Sequence, residues 1–207
     1  MPDWKEGKRL GVASAYFEEI FDTYIKMKKI NNIKNISSQL TIPIFKGNNQ
    51  NPFAREPYSP GPRVFIGVGV GIAPFRAFVQ NRLQNLSCFE EVWVIQGCRN
   101  IELDEIYQGE WGLFNTSKNR IVVESRSGKR EYVQDEVKRK GKLIWEVINN
   151  KNGRIYVCGI GTSLIKSFDD CLIEIAMKWG GYSYKDAVKK WKEFENPLIF
   201  KYIKEVW

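Results

Sequence analysis

Histidine is missing from all 207 residues. Its absence excludes the Ser-His-Asp and Cys-His nucleophile arrangements, every zinc site that uses imidazole and any histidine general base. Cysteine is scarce: Cys88, Cys98, Cys158 and Cys171 include no C-x-x-C pair. That spacing speaks against an all-cysteine zinc site and against a disulfide framework, and for reduced, intracellular thiols. No apolar run approaches the ~20 residues that a transmembrane helix needs. The opening Met1-Pro2-Asp3-Trp4-Lys5-Glu6 has no apolar signal region. Acidic residues are outnumbered, 24 against 32 basic, for a net charge of +8. Such an excess raises nucleic acid as a partner, but no aromatic-basic motif of the single-strand-binding type accompanies it, so nucleic acid is not expected.

What is present is apolar enough for a sizeable core, with 43% hydrophobic and 14% aromatic residues. The first sixty residues differ from the rest. Phe17, Ile20, Phe21 and Tyr24 recur at helical spacing within Gly11 to Lys26. The Lys/Asn/Ser-rich stretch from Lys26 to Gln39 reads as a solvated loop, Leu40 to Phe45 as a short strand, and Gly47 to Pro62 as a turn-rich linker. This region is too short and broken for a complete domain. It reads as the tail end of one, spanning residues 1–60.

From Arg63, strands and helices alternate. Strand patterns start at Arg63, Glu91, Arg120 and Arg154, and a last one runs from Leu198 to Val206. Helical patterns cover Pro74 to Leu86, Leu103 to Phe114, Tyr132 to Asn150 with an interruption near Gly141, the stretch around Leu164 to Ala176, and Tyr184 to Glu195. Such alternation predicts an α/β domain over residues 61–207: an open, mostly parallel, five-stranded, doubly wound sheet with helices on both faces. Ligands of such sheets bind at the carboxyl ends of the strands, so the residues just after each strand carry the functional reading.

After the first strand comes Gly67-Val68-Gly69-Val70-Gly71-Ile72-Ala73-Pro74. Alternating glycines permit a sharp turn and close approach of a phosphate, and the following helix offers free N–H groups to an anion. The same glycines also suit a plain strand-to-helix turn. Gly97-Cys98-Arg99 follows the second strand. Ser125-Arg126, then Lys129, Arg130 and Tyr132, follow the third. A hydroxyl, several cations and a phenol on one loop suit a phosphate monoester with a base stacked on the ring; a solvated basic loop is the other reading. Cys158-Gly159 follows the fourth strand, where the thiol suits a small buried apolar group. Residues 118–142 hold nine basic and four acidic residues, 9 − 4 = +5. The positive excess thus gathers around the third post-strand loop.

In order and spacing, Gly67 to Phe75, Gly97-Cys98-Arg99, Ser125-Arg126 with Tyr132-Val133-Gln134, Tyr156 to Gly159 and Glu205-Val206-Trp207 resemble the NADPH-binding module of the diflavin reductases, the family of NADPH–cytochrome P-450 reductase. The resemblance implies that residues 1–60 are the remnant of an FAD-binding β-barrel domain, in which Gly11-Val12-Ala13-Ser14 hold the FAD pyrophosphate. Neither the family's Arg-x-Tyr-Ser flavin segment nor an FMN domain has a match, so the chain reads as the C-terminal portion of a longer enzyme. By resemblance, hydride passes from NADPH to FAD and electrons move on to FMN, or to a haem or iron–sulfur acceptor. Ser125, Arg126, Arg130 and Tyr132 would hold the adenosine 2′-phosphate, with Gln134 beside them. The loop before Tyr132 is one residue short, so Lys129 is an alternative to Arg130. Gly67, Gly69, Val70, Gly71 and Arg99 would meet the pyrophosphate, and Cys158, Gly159 and Glu205 would lie near the nicotinamide. Trp207 would stack on the flavin until nicotinamide displaces it.

Val70 replaces the family's Thr, and Ile160 its Asp, which places the charge balance at the nicotinamide in question. The resemblance further implies an acidic electron-transfer partner downstream and an intracellular location, cytoplasmic or on the cytoplasmic face of the endoplasmic reticulum, with any membrane contact through regions outside this chain. Two alternatives accompany it: an isolated NADP-binding module without turnover, and the reductase module of a fusion such as pyruvate:NADP oxidoreductase.

Overall fold

The computed structural model describes residues 12–31, 53, 60–84, 91–159 and 161–206. The chain divides into two units, Met1–Asn48 and Asn49–Trp207. In the first unit the described residues form one helix, α1 (Val12–Asn31). It runs five residues past Lys26, so the start of the stretch read as a loop is helical. Lys28 and Lys29 fall in its last turn, where cations are favoured by the carbonyl end of the helix dipole. The strand read at Leu40 to Phe45 lies outside the described residues.

The second unit contains β1 (Arg63–Val68), α2 (Ala73–Gln84), β2 (Val92–Cys98), α3 (Ile101–Asp104), β3 (Arg120–Glu124), α4 (Val133–Arg139), α5 (Gly141–Trp145), β4 (Arg154–Gly159), α6 (Thr162–Gly180), α7 (Tyr184–Glu195) and β5 (Tyr202–Val206). The five strands are all parallel, in the order β3-β2-β1-β4-β5. That order places β1 at the centre, and the winding direction reverses between β1 and β4. The switch point therefore lies at the carboxyl ends of these two strands, where an open crevice forms.

The strands bury both faces because alternate side chains point to opposite sides. Val64, Ile66, Ile95, Ile155 and Val157 join one core with α4, α5, α6 and α7, including Val137, Ile144, Phe168, Leu172 and Trp191. Phe65, Val94, Tyr156, Cys158 and Ile203 join the other, with Phe75 and Val79 of α2. In that second core the Phe65 ring stacks on Phe75 with centroids 4.9 Å apart. Phe53, from the stretch read as linker, packs edge-on to Tyr156 and is buried.

Two predicted elements are shorter than their sequence patterns. The helix expected over Leu103 to Phe114 ends at Asp104, and a 3-10 turn follows at Gly112–Thr116. Tyr107, Gly109 and Gly112 take positive φ, which breaks helical continuation. The last strand begins at Tyr202 rather than Leu198. Asn196 intervenes, its side-chain oxygen accepting from Leu198 N–H at 2.9 Å, and Phe200 takes positive φ. By contrast, the interruption near Gly141 falls between α4 and α5, and α7 has the predicted bounds. Its start is set by Ser183, whose hydroxyl accepts from Asp186 N–H.

Candidate nucleotide site

Three glycines after β1 have three different steric reasons. A Cβ on Gly67 would lie 2.7 Å from Ile72 Cα, because the 3-10 turn Gly69–Ile72 folds back over the strand end. Gly69 has φ +57 in open space, so it supplies a left-handed turn. A Cβ on Gly71 would lie 2.3 Å from the Cys158 carbonyl oxygen and 2.8 Å from Gly159 N. The glycine-rich turn is thus pressed against the end of β4, at the switch point.

The ends of β2 and β3 are stitched together. Ser125 N–H and its hydroxyl both donate to the Cys98 carbonyl, at 3.0 and 3.3 Å, and Arg126 N–H donates to the Arg99 carbonyl at 2.9 Å. The chain then turns through Gly128 and Arg130, both at φ 53. Glu124 anchors this turn and its neighbour, accepting from the Ser127 hydroxyl and from Ile101 N–H. These bonds hold its carboxyl below the usual range. Tyr132 stands before α4, its N–H capped by Asp135 at 2.8 Å and its side chain 60% exposed.

Between these loops and helices α4 and α6 lies a cleft of about 1010 Å³. Of the residues singled out from sequence, it brings together Gly69, Val70, Arg99, Ser125, Tyr132 and Gln134. Arg126, Lys129 and Arg130 are exposed on the β3–α4 loop, and among the described residues none of the three has an ion-pair partner. Gly67, Gly71 and Gly159 contribute backbone beside the cleft rather than its wall. Cys158 is opposite Glu205 in the β4–β5 register, but its side chain is 1% exposed and packs in the α2-side core. Burial first, and the Glu205 charge second, push this thiol up to about 11. It is therefore a neutral, protonated group at physiological pH. Val12, Ala13 and Ser14 form the first turn of α1. Gly11, Ile160 and Trp207 lie outside the described residues.

The cleft also has walls that the motifs did not disclose. Gln134 of α4 donates to the Ser167 hydroxyl of α6 at 2.6 Å, and Lys138 of α4 pairs with Glu174 of α6 at 2.7 Å. Ser167, Asp170, Cys171 and Glu174 line the cleft from one face of α6. Their three- and four-residue spacing is a sequence signal, adjacent to the apolar face that reads as core. Asp104, which pairs with Arg99, left no signal, because only the α3 turn brings it back to β2.

A cleft at the carboxyl ends of a parallel sheet, with the glycine-rich turn on one side and Ser125 and Tyr132 of the exposed, basic β3–α4 loop on the other, is the arrangement of a dinucleotide-binding domain. The oxidoreductase NAD-binding domain family matches residues 65–170, and the chain belongs to that family. It is 46% identical, over 96% of its length, to an uncharacterized FAD-binding protein of Schizosaccharomyces pombe, of which it covers 35%. It is 29% identical, over 89% of its length, to NADPH–cytochrome P450 reductase of Drosophila melanogaster, covering 27% of that protein. It is 28% identical, over 70% of its length, to NADPH-dependent diflavin oxidoreductase 1 of Schizosaccharomyces pombe, covering 25%. The chain thus spans about a third or less of each of these relatives. It is an NADPH-binding-type module of the flavoprotein reductase family.

Proposed function

We propose that the cleft binds NADPH and that the module delivers it to FAD held mainly by a domain upstream of this chain. The observation that carries the reading is the β3–α4 loop. Arg126, Lys129 and Arg130 stand exposed without carboxylate partners, beside the half-buried Ser125 hydroxyl and the exposed Tyr132 ring. A phosphate monoester on the ribose 2′ position satisfies that set, with adenine against Tyr132. Lys129 and Arg130 remain alternative partners for it.

The residues fit the rest of the cofactor. Gly69, with open space where a Cβ would stand, lines the cleft where a pyrophosphate would lie, and Gly71 lets that turn sit directly against the β4 backbone. Arg99 lies at the same end of the cleft. When bound, the nicotinamide supplies a hydride and the flavin accepts it. The chain's own task is to bind, orient and exclude water. Cys158, buried beneath the end of β4, would act there only as uncharged packing, with Glu205 the charge next to it and Trp207 an aromatic cover for the nicotinamide end. An FMN domain, a haem or iron–sulfur acceptor of acidic surface, and an intracellular, cytoplasmic or endoplasmic-reticulum setting complete the reading for the whole enzyme. In the described residues no helix is long and apolar enough to cross a membrane.

Calorimetric titration with NADP⁺ and NAD⁺ tests it. Arg126→Ala is expected to weaken NADP⁺ binding roughly 10- to 100-fold, the loss of one charge-assisted phosphate contact, and to leave NAD⁺ binding nearly unchanged. Equal losses for both cofactors would remove the 2′-phosphate from this loop.

A further inference from the structure

Arg99 differs from the cations of the β3–α4 loop in having a carboxylate partner. Asp104 Oδ2 accepts both its backbone N–H and its Nε–H, each at 3.1 Å, and Oδ1 accepts from Nη2 at 2.9 Å. Asp104 is itself fixed. It closes the α3 turn through its N–H to the Asn100 carbonyl at 2.9 Å. The Asn100 side chain caps that turn, accepting from Glu102 and Leu103 N–H. Glu124 ties Ile101 N–H to the end of β3 at 2.8 Å. Both Arg99 and Asp104 line the cleft, and the Arg99 side chain is 72% exposed.

We propose that Asp104 is a positioning residue for nucleotide binding: it holds the Arg99 guanidinium at the cleft mouth with its Nη1 edge free for the pyrophosphate. This rests on the NADPH reading above. A side-on pair through Nε and Nη2 leaves both Nη1 hydrogens and one Nη2 hydrogen unused by Asp104. A long, exposed arginine would otherwise sample many rotamers and lose that freedom on binding. Here the freedom is removed in advance, at the cost of the net charge. The two effects predict opposite signs on neutralising Asp104. If charge dominates, the cleft gains a positive charge and the nucleotide binds more tightly. If orientation dominates, binding weakens.

Calorimetry on this chain decides between them, using NADP⁺ and 2′-AMP as probes. The second carries the 2′-phosphate but no pyrophosphate. Asp104→Asn is expected to weaken NADP⁺ roughly three- to tenfold, with 2′-AMP unchanged within about twofold. The loss is expected to vanish in an Arg99→Ala background, since the two residues act as one unit. Should Asp104→Asn fail to fold, Arg99→Lys serves instead, because it keeps the charge and removes the fork; it is expected to show the same selective loss. Tighter NADP⁺ binding, equal losses for both probes, or a loss that persists without Arg99 would overturn the proposal. Binding of neither probe by the unaltered chain would overturn the NADPH reading instead.

Discussion

Cys98, Cys158 and Cys171 are free thiols and all three are buried. Burial is the main reason that Cys98 and Cys158 are pushed up to about 11 and Cys171 to about 12. For Cys98, nearby Glu105 and Glu124 add to the effect. A thiol with a pKa of about 11 is ~10⁻³ thiolate at pH 8, against ~10⁻¹ for an ordinary one near 9, and only the thiolate reacts. Iodoacetamide at pH 8 is therefore expected to label the peptides carrying these residues at least tenfold more slowly in the native chain than in urea, as read by mass spectrometry. Labelling at equal rates would show that they are not buried. Folding raises these pKa values, so their stabilising contribution is present below pH 9. It declines as pH rises from 9 through 11, where the unfolded chain has already lost its protons. The same burial bears on the site: Cys158 is a fixed, uncharged neighbour of Glu205 rather than a proton carrier at neutral pH.

The glycine turn after β1 carries its consequence at the level of elements. Gly69 and Gly71 are two residues apart in one motif, yet they are glycine for different reasons. At Gly69 the φ of +57 is strained for any L residue, but nothing lies within 4 Å of an added Cβ. Alanine there is expected to cost about 1–2 kcal/mol of stability. At Gly71 the added Cβ would press on the Cys158–Gly159 peptide, which is backbone of a central strand and cannot swing aside. Gly71→Ala must push α2 and its 3-10 turn away from β4. Overpacking of that kind costs about 1–3 kcal/mol or more, and it also opens the pyrophosphate cradle. Urea unfolding of both variants, with NADP⁺ titration alongside, checks the contrast: the Gly71 variant is expected to lose nucleotide affinity, while the Gly69 variant loses mainly stability.

On the scale of the whole molecule, the two units are unequal to the tasks of the two cofactors. The proposed NADPH site is built from elements within Asn49–Trp207, whereas the Gly11–Ser14 segment is the part of this chain proposed to meet FAD. The chain covers 35% of its FAD-binding relative, which has room for the rest. The purified chain is therefore expected to show no flavin absorption and no rise in melting temperature with added FAD. NADP⁺ at about 100 times its Kd should stabilise the same chain by about 2.7 kcal/mol. A yellow preparation would show that the N-terminal segment holds FAD unaided. The charge balance reads differently at this scale as well. Of the nine cations in residues 118–142, Arg120 pairs with Glu105, Lys138 with Glu174, and Arg139 with Glu131 and Glu136. Lys140 lies over the Trp93 ring. Five cations remain, the exposed Lys118 and Lys142 and the three of the β3–α4 loop, Arg126, Lys129 and Arg130.

Local patterns were enough for the strand–helix alternation, the parallel sheet and the position of the glycine turn, because side-chain periodicity and glycine's steric freedom act over a few residues. The missing histidine and the clustered cations narrowed the chemistry for the same reason: composition needs no geometry. What the sequence could not determine were contacts set by the return of a distant segment. Whether Gly71 is glycine for its φ or for its neighbour depends on β4, about ninety residues on, lying beside β1. Asp104 reaches Arg99 only because α3 stops after one turn. The acidic wall of Asp170 and Glu174 faces the cleft only because α6 packs beside α4, and Cys158 is removed from the cleft by the pleat that turns it toward α2. These are decisions of packing, in which burial and excluded volume between remote elements outweigh local propensity.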